Sequence, residues 1–174
     1  MGRSRDLADG SYIADGSITQ ADLASGVAGT GPAFSAYSSA NQFPSSGTYT
    51  KVIFGTEVFD TNNCFSSSTF TPNVAGYYQV SASISMAADT GMTAGFILFY
   101  KNGASTLANI GTNINGISTV GYYVMSASGL VYMNGSTDYL EVYGAILGTG
   151  TNRYFFLSQP TYPTVFTGAL VRAA

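Results

Sequence analysis

The chain has 174 residues, enough for one domain with a real core plus a short appendage. It is 45% hydrophobic and 14% aromatic but only 9% charged, so its polar surface is built from Ser, Thr, Asn and Gly. The net charge of −3, a pI near 4.5 and six scattered basic residues exclude a nucleic-acid partner, because neutralising phosphates takes clustered Lys and Arg.

Residues 1–31 differ from everything after them. The start, MGRSRDLADGS, has basic residues with no apolar stretch behind them, so a secretory signal is not expected. Asp6 breaks the myristoylation pattern that Gly2 opens. Ala8-Asp9-Gly10-Ser11 recurs as Ala14-Asp15-Gly16-Ser17, a six-residue repeat that buries no core alone but packs if several chains lie side by side. Thr19 with Asp22 reads as an N-cap and its acidic N3, leading one helical turn through Leu23 to Gly26. A flexible tail is one reading of this segment. The regular placing of Leu7, Tyr12, Ile13, Ile18 and Leu23 supports the other, an anchoring arm.

Gly29-Thr30-Gly31-Pro32 marks the boundary, and residues 32–174 form the domain, opening on Ala33-Phe34-Ser35-Ala36-Tyr37. Short strands are predicted near 49–54, 68–72, 76–86, 93–101, 119–133, 138–148, 153–158 and 165–172. After Gly76, Tyr78, Val80, Ala82 and Ile84 fall on one face, and Gln79, Ser81, Ser83 and Ser85 on the other, the period of a half-buried strand. Asn-Gly pairs at 102, 115 and 134 supply turns, since both residues tolerate positive φ. The longest apolar run, 94–100, is too short to span a bilayer, so no membrane partner is expected. Many short strands and no long helical period predict an all-β sandwich.

Within this pattern Phe54, Asp60, Phe65 and Phe70 are separated by five, four and four residues, and five more lead to Gly76. This spacing resembles the signature of the complement globular-head family, the trimeric jelly rolls related to tumour necrosis factor. The family places six residues before the last Phe and prefers aromatics where Val80 and Ala82 stand, so the match is divergent. The opening AFSAY, the Lys101-Asn102-Gly103 hairpin, the stretch from Asp138 to Val142 and the terminal Phe166-Thr167-Gly168-Ala169-Leu170 carry the same likeness. The resemblance implies a jelly roll and a homotrimer. Val80, Ile84, Leu140, Val142, Phe166 and Leu170 are expected to fill the sandwich. Tyr77, Tyr139, Tyr143, Leu147, Val165 and Val171 then alternate outward, and Tyr77, Tyr139, Tyr143, Val165 and Val171 are the expected trimer contacts.

Catalytic chemistry finds little support. The chain has no His, so Ser-His-Asp and Cys-His arrangements are absent, and the lone Cys64 has neither a disulfide partner nor a zinc set. Asp138 and Glu141 form a close carboxylate pair in the domain but lie three apart on a strand, on opposite faces. Asp60 reads as a loop residue accepting backbone N–H groups. Asp89 with Asp138 resembles the acids that hold calcium at the apex of some family members, yet two carboxylates without an oxygen-rich loop do not make a site. No cofactor is expected. Asn134-Gly135-Ser136 is a formal glycosylation sequon read as a turn.

The string from Ile13 to Gly26, IADGSITQADLASG, resembles connector segments of bacteriophage fibre and virion proteins. Three functions follow as expectations. The first is a virion protein: a trimeric capsid decoration or cement protein whose arm grips the major capsid protein. The second is the receptor-binding head of a tail fibre, holding host surface glycans near Tyr122, Tyr154 or Tyr162. The third is a secreted complement-head-type binding module, against which the missing signal and disulfide count. An enzyme stands behind all three.

Overall fold

The computed structural model describes residues 30–89, 91–105, 121–161 and 163–174. The repeats and the arm residues Leu7, Tyr12, Ile13, Ile18 and Leu23, the Asn115-Gly116 pair and Tyr162 lie outside these. Every regular element among the described residues is a strand: β1 (Ala33–Tyr37), β2 (Thr50–Lys51), β3 (Thr56–Asp60), β4 (Phe65–Ser66), β5 (Thr69–Phe70), β6 (Ala75–Ala88), β7 (Met92–Lys101), β8 (Ala104–Ser105), β9 (Gly121–Asn134), β10 (Leu140–Gly148), β11 (Arg153–Phe155) and β12 (Val165–Ala173).

All pairings are antiparallel and divide into two sheets. The first runs β9-β6-β12-β1-β3, with β11 taking over beside β6 where β12 leaves off. The second runs β4-β5-β10-β7-β8, with β2 joining β10 beyond β5. The alternating residues expected to fill the sandwich do so: Val80, Ile84, Leu140, Val142 and Phe166 are fully buried and Leu170 nearly so. Two sheets facing each other over such a core make the jelly roll.

The aromatic spacing is a packing device. Phe34 on β1 stacks on Phe65 and Phe70, both at 4.6 Å, and meets Phe166 edge-on at 4.8 Å. Phe54 reaches the same Phe166 at 5.5 Å. Gly168 makes room for this cluster, because a Cβ there would stand 2.6 Å from the Phe34 ring. Gly76 serves a close approach of another kind: a Cβ would come within 2.4 Å of the Arg172 carbonyl oxygen, where β12 shifts register between Leu170 and Arg172.

The sandwich has two distinct ends. At the near end Pro32 leads into β1, and its carbonyl accepts from the Leu170 N–H at 3.0 Å. The β9–β10 turn and the Ala174 N–H bonded to Ala75 lie at the same end. The 14 residues of β6 then run roughly 45 Å to the far end, at about 3.3 Å per residue. There the core changes character: Met86, Met92 and Met125 close around Gly95, and Phe155 and Ile84 around Gly144.

Three features differ from the expected strands. The 49–54 and 68–72 segments contribute only two-residue strands, and β3, β4 and β8 are additional. The alternation of β6 also ends early, since Ser83 and Ser85 are buried on what should be the wet face. Both hydroxyls donate to the Pro163 carbonyl, at 3.1 and 3.2 Å, so the connection from β11 to β12 covers that half of the strand.

Candidate functional site

A reactive pair of acids would define an enzyme. Asp60 accepts the backbone N–H groups of Asn62, Cys64 and Phe65 at 3.3, 3.0 and 2.8 Å, holding the loop after β3 as the sequence predicts. Asn63 sits there at φ 50°, a left-handed conformation that Asn tolerates. Burial alone would raise the Asp60 pKa, but these donors outweigh it and hold the carboxyl below its ordinary value. Cys64 is buried and its thiol donates to Asp60 at 3.1 Å. Burial first, and then the Asp60 carboxylate, push that thiol far above its ordinary range, the opposite of a nucleophile.

Asp138 and Glu141 are each matched by a lysine. Lys101 lies 2.7 Å from Asp138, and Lys51 lies 2.7 Å from Glu141. Asp138 also accepts from Asn102 Nδ2 and the Asn134 N–H, at 2.8 and 3.0 Å, tying the β7–β8 and β9–β10 turns together. Asn102 and Gly103 make the first of these turns at φ 55° and 77°. In the second, Asn134 Oδ1 accepts from the N–H groups of Ser136, Thr137 and Asp138. Asp89 sits at the opposite end of β6 from Asp138, bonded to Thr151 and Asn152. Within one chain the two acids cannot share a calcium ion, and no cluster of three metal-ligating side chains occurs among the described residues.

The surfaces are more informative than the acids. On the outer face of the first sheet, Tyr77 of β6 meets Tyr132 of β9 at a ring distance of 5.4 Å. Leu130 beside them is 54% exposed, and Val171 on β12 is 48% exposed. Strands β9, β6 and β1 carry no charged side chain at all, and β12 carries only Arg172. A hollow of about 250 Å³ lies across this face, lined by Phe59, Gln79, Ser81, Thr167 and Ala169 among others. A second hollow of about 310 Å³, lined by Asn63, Ser66, Ser67, Thr69 and Thr71 with Cys64, is polar and belongs to the loop that Asp60 holds.

The five expected trimer contacts are divided by the sandwich. Tyr77 and Val171 lie exposed at the near end of the first sheet's outer face, and Val165 lies half-buried further along the same face. Tyr139 precedes β10 and Tyr143 is on β10, so both belong to the other sheet. Tyr143 is half-buried against Tyr100, with ring centroids 4.1 Å apart. Leu130, Tyr132 and Val124 belong to the exposed apolar set but were not among the expected residues. Their signal is the alternation of β9, in which Tyr122, Val124, Leu130 and Tyr132 share one phase and Met125, Ala127, Val131 and Met133 the other.

No protein-family model and no curated protein matches the sequence. Among solved structures, the globular domain of zebrafish complement 1qA protein superposes with a TM-score of 0.54 at 16% identity, covering 82% of this chain and 99% of that one. Murine APRIL at pH 5.0 gives a TM-score of 0.51 at 11% identity, covering 80% of this chain and 98% of the other. The Eiger tumour necrosis factor from S. frugiperda gives 0.51 at 12% identity, covering 82% and 94%. The chain thus has the all-β jelly-roll fold shared by complement globular heads and tumour necrosis factors.

Proposed function

We propose that this chain is a non-enzymatic, homotrimeric structural protein of a bacteriophage virion, a capsid decoration or cement protein. Residues 1–31 mount it on the major capsid protein and the jelly roll projects. The supporting observation is the outer face of the β9-β6-β12-β1 layer, on which Arg172 is the single charged residue of these four strands beside the exposed Tyr77, Tyr132, Leu130 and Val171. A face this broad with a single charge is costly on a free monomer, and threefold packing of copies removes it from water. The hollow beside Phe59 gives a neighbouring copy a place to seat a side chain. The virion assignment is supported by the likeness of the Ile13–Gly26 string to phage connector segments, and the non-enzymatic reading by the commitment of Asp60, Asp89, Asp138 and Glu141 to structural bonds.

Gold-labelled antibody against the domain, applied to purified particles, tests the assignment. Label over the whole capsid is the expected result. Label confined to the tail replaces the decoration reading with a fibre head, and particles free of label overturn the virion assignment.

A further inference from the structure

The polar hollow of about 310 Å³ opens on the second sheet, on the side of the sandwich away from the β9-β6-β12-β1 face. Phe65 of β4 and Phe70 of β5 turn into the core, so their neighbours Ser66 and Thr69, which pair with each other, point outward. Thr69 meets the Lys51 Nζ there at 2.7 Å, beside Glu141 of β10. Packing of copies on the first sheet therefore leaves this hollow open. Its walls are also fixed in advance. Asp60 clamps the loop carrying Asn63 and Cys64, and the Cys64 carbonyl accepts the Thr71 N–H at 2.6 Å, tying that loop to the chain just beyond β5. A cavity built this way spares a ligand the cost of ordering the loop.

Backbone conformation marks the same place. Three of the four non-glycine residues at positive φ among the described residues line or adjoin the hollow: Asn63, Ser67 and Ser68, at 50°, 49° and 60°. The Ser67-Ser68 turn has positive φ at both central positions, where Asn-Gly is the less strained choice. Ser68 uses its hydroxyl within the fold, accepting the Phe54 N–H at 2.8 Å. Asn63 and Ser67 have no such use: their side-chain polar groups, like those of Ser66 and Thr71, have no partner among the described residues. Polar side chains held in a strained backbone and lining a cavity point to a ligand that they bond. The free groups define its chemistry. They are one amide and several hydroxyls, while Lys51 and Glu141 neutralise each other and the Asp60 carboxylate is filled by N–H groups and the Cys64 thiol. Uncharged groups that both donate and accept match the hydroxyls of a neutral sugar. The volume, at the small end of ligand cavities, holds one ring rather than a chain of them.

We propose that the hollow between the Asp60 loop and the β4–β5 hairpin binds a single neutral sugar ring through Asn63, Ser66, Ser67 and Thr71. Binding there requires neither a particle nor threefold packing, so this test and particle labelling fail independently. The full-length chain is titrated by saturation-transfer NMR with the methyl glycosides of glucose, galactose, mannose, rhamnose and N-acetylglucosamine. At least one is expected to bind saturably. Asn63→Gly and Ser67→Gly each keep the left-handed backbone and remove one polar group, so both are expected to fold with an unchanged or higher urea midpoint and to weaken binding about fivefold. Thr71→Val replaces a hydroxyl by a methyl group and is expected to weaken binding likewise. Gln159→Ala, exposed on the connection from β11 to β12, is expected to leave it unchanged. A merely structural role for the hollow residues would move the midpoint and not the affinity. The proposal is overturned if no glycoside binds, if the folded hollow variants retain full affinity, or if Gln159→Ala weakens binding as much as they do.

Discussion

Asp60 shows how one side chain sets a loop and a pH response together. Its carboxylate satisfies three backbone donors and a thiol that nothing else in that turn accepts. Asp60→Ala should cost about 1–3 kcal/mol in urea denaturation at neutral pH, since buried N–H groups lose their acceptor. The folded-state carboxyl is the stronger acid, so the folded chain binds fewer protons than the unfolded chain as pH falls from the ordinary value of 3.8. The stabilisation from Asp60 is therefore complete above that value and lost as pH falls through the lower folded-state pKa. Asp138 shifts in the same direction: burial raises it, but Asn102, Lys101 and Asn134 outweigh that effect. Melting curves between neutral pH and pH 2 should show the Asp60→Ala difference closing in acid. The neighbouring Cys64 gives a second reading of the same loop. Its thiol should react with an aromatic disulfide reagent only as fast as the chain opens, and Asp60→Ala should accelerate that reaction.

At the scale of the strand, glycine positions carry more information than propensity does. Gly168 faces a ring that is already held on three sides by Phe65, Phe70 and Phe166, so Phe34 cannot move to admit a methyl group. Gly168→Ala should cost about 1–3 kcal/mol. Gly95→Ala should cost less, because its obstacles are the flexible Met86, Met92 and Met125 side chains. Comparing the urea midpoints of the two variants checks the ordering. The core strands were legible because their alternation records a local choice of face, as in Val80, Ala82 and Ile84. What escaped was decided by distant chain. Ser83 and Ser85 read as solvent-facing until the Pro163 carbonyl, about 80 residues away, covers them. Edge strand β3 was missed because Glu57, Val58 and Phe59 are all exposed and show no period. The far-end aromatic cluster was half legible: Tyr122 and Tyr154 fall in expected strands, but Phe43 joins them through the Gln42–Phe155 bridge and Phe156 through its N–H bond to the Ser85 carbonyl, both contacts between distant segments.

The molecule as a whole combines a well-filled interior with an outer face that a free monomer would leave wet. Burial of the core aromatics and methionines explains why the domain folds, and does not explain why β9, β6 and β1 bear no charge. The proposed self-association accounts for it, with Tyr77, Tyr132 and Leu130 between copies. Leu130→Glu should then separate the copies without unfolding the sandwich, because Leu130 lies on the outer surface. Removing residues 1–31 should leave a folded, associated head that no longer attaches to particles; attachment that survives would remove the arm as the mount. The most direct test of the account is the sedimentation mass of the full-length chain at micromolar concentration. Three times the 18.1 kDa chain, about 54 kDa, is the predicted result, and a single species at 18.1 kDa would contradict it.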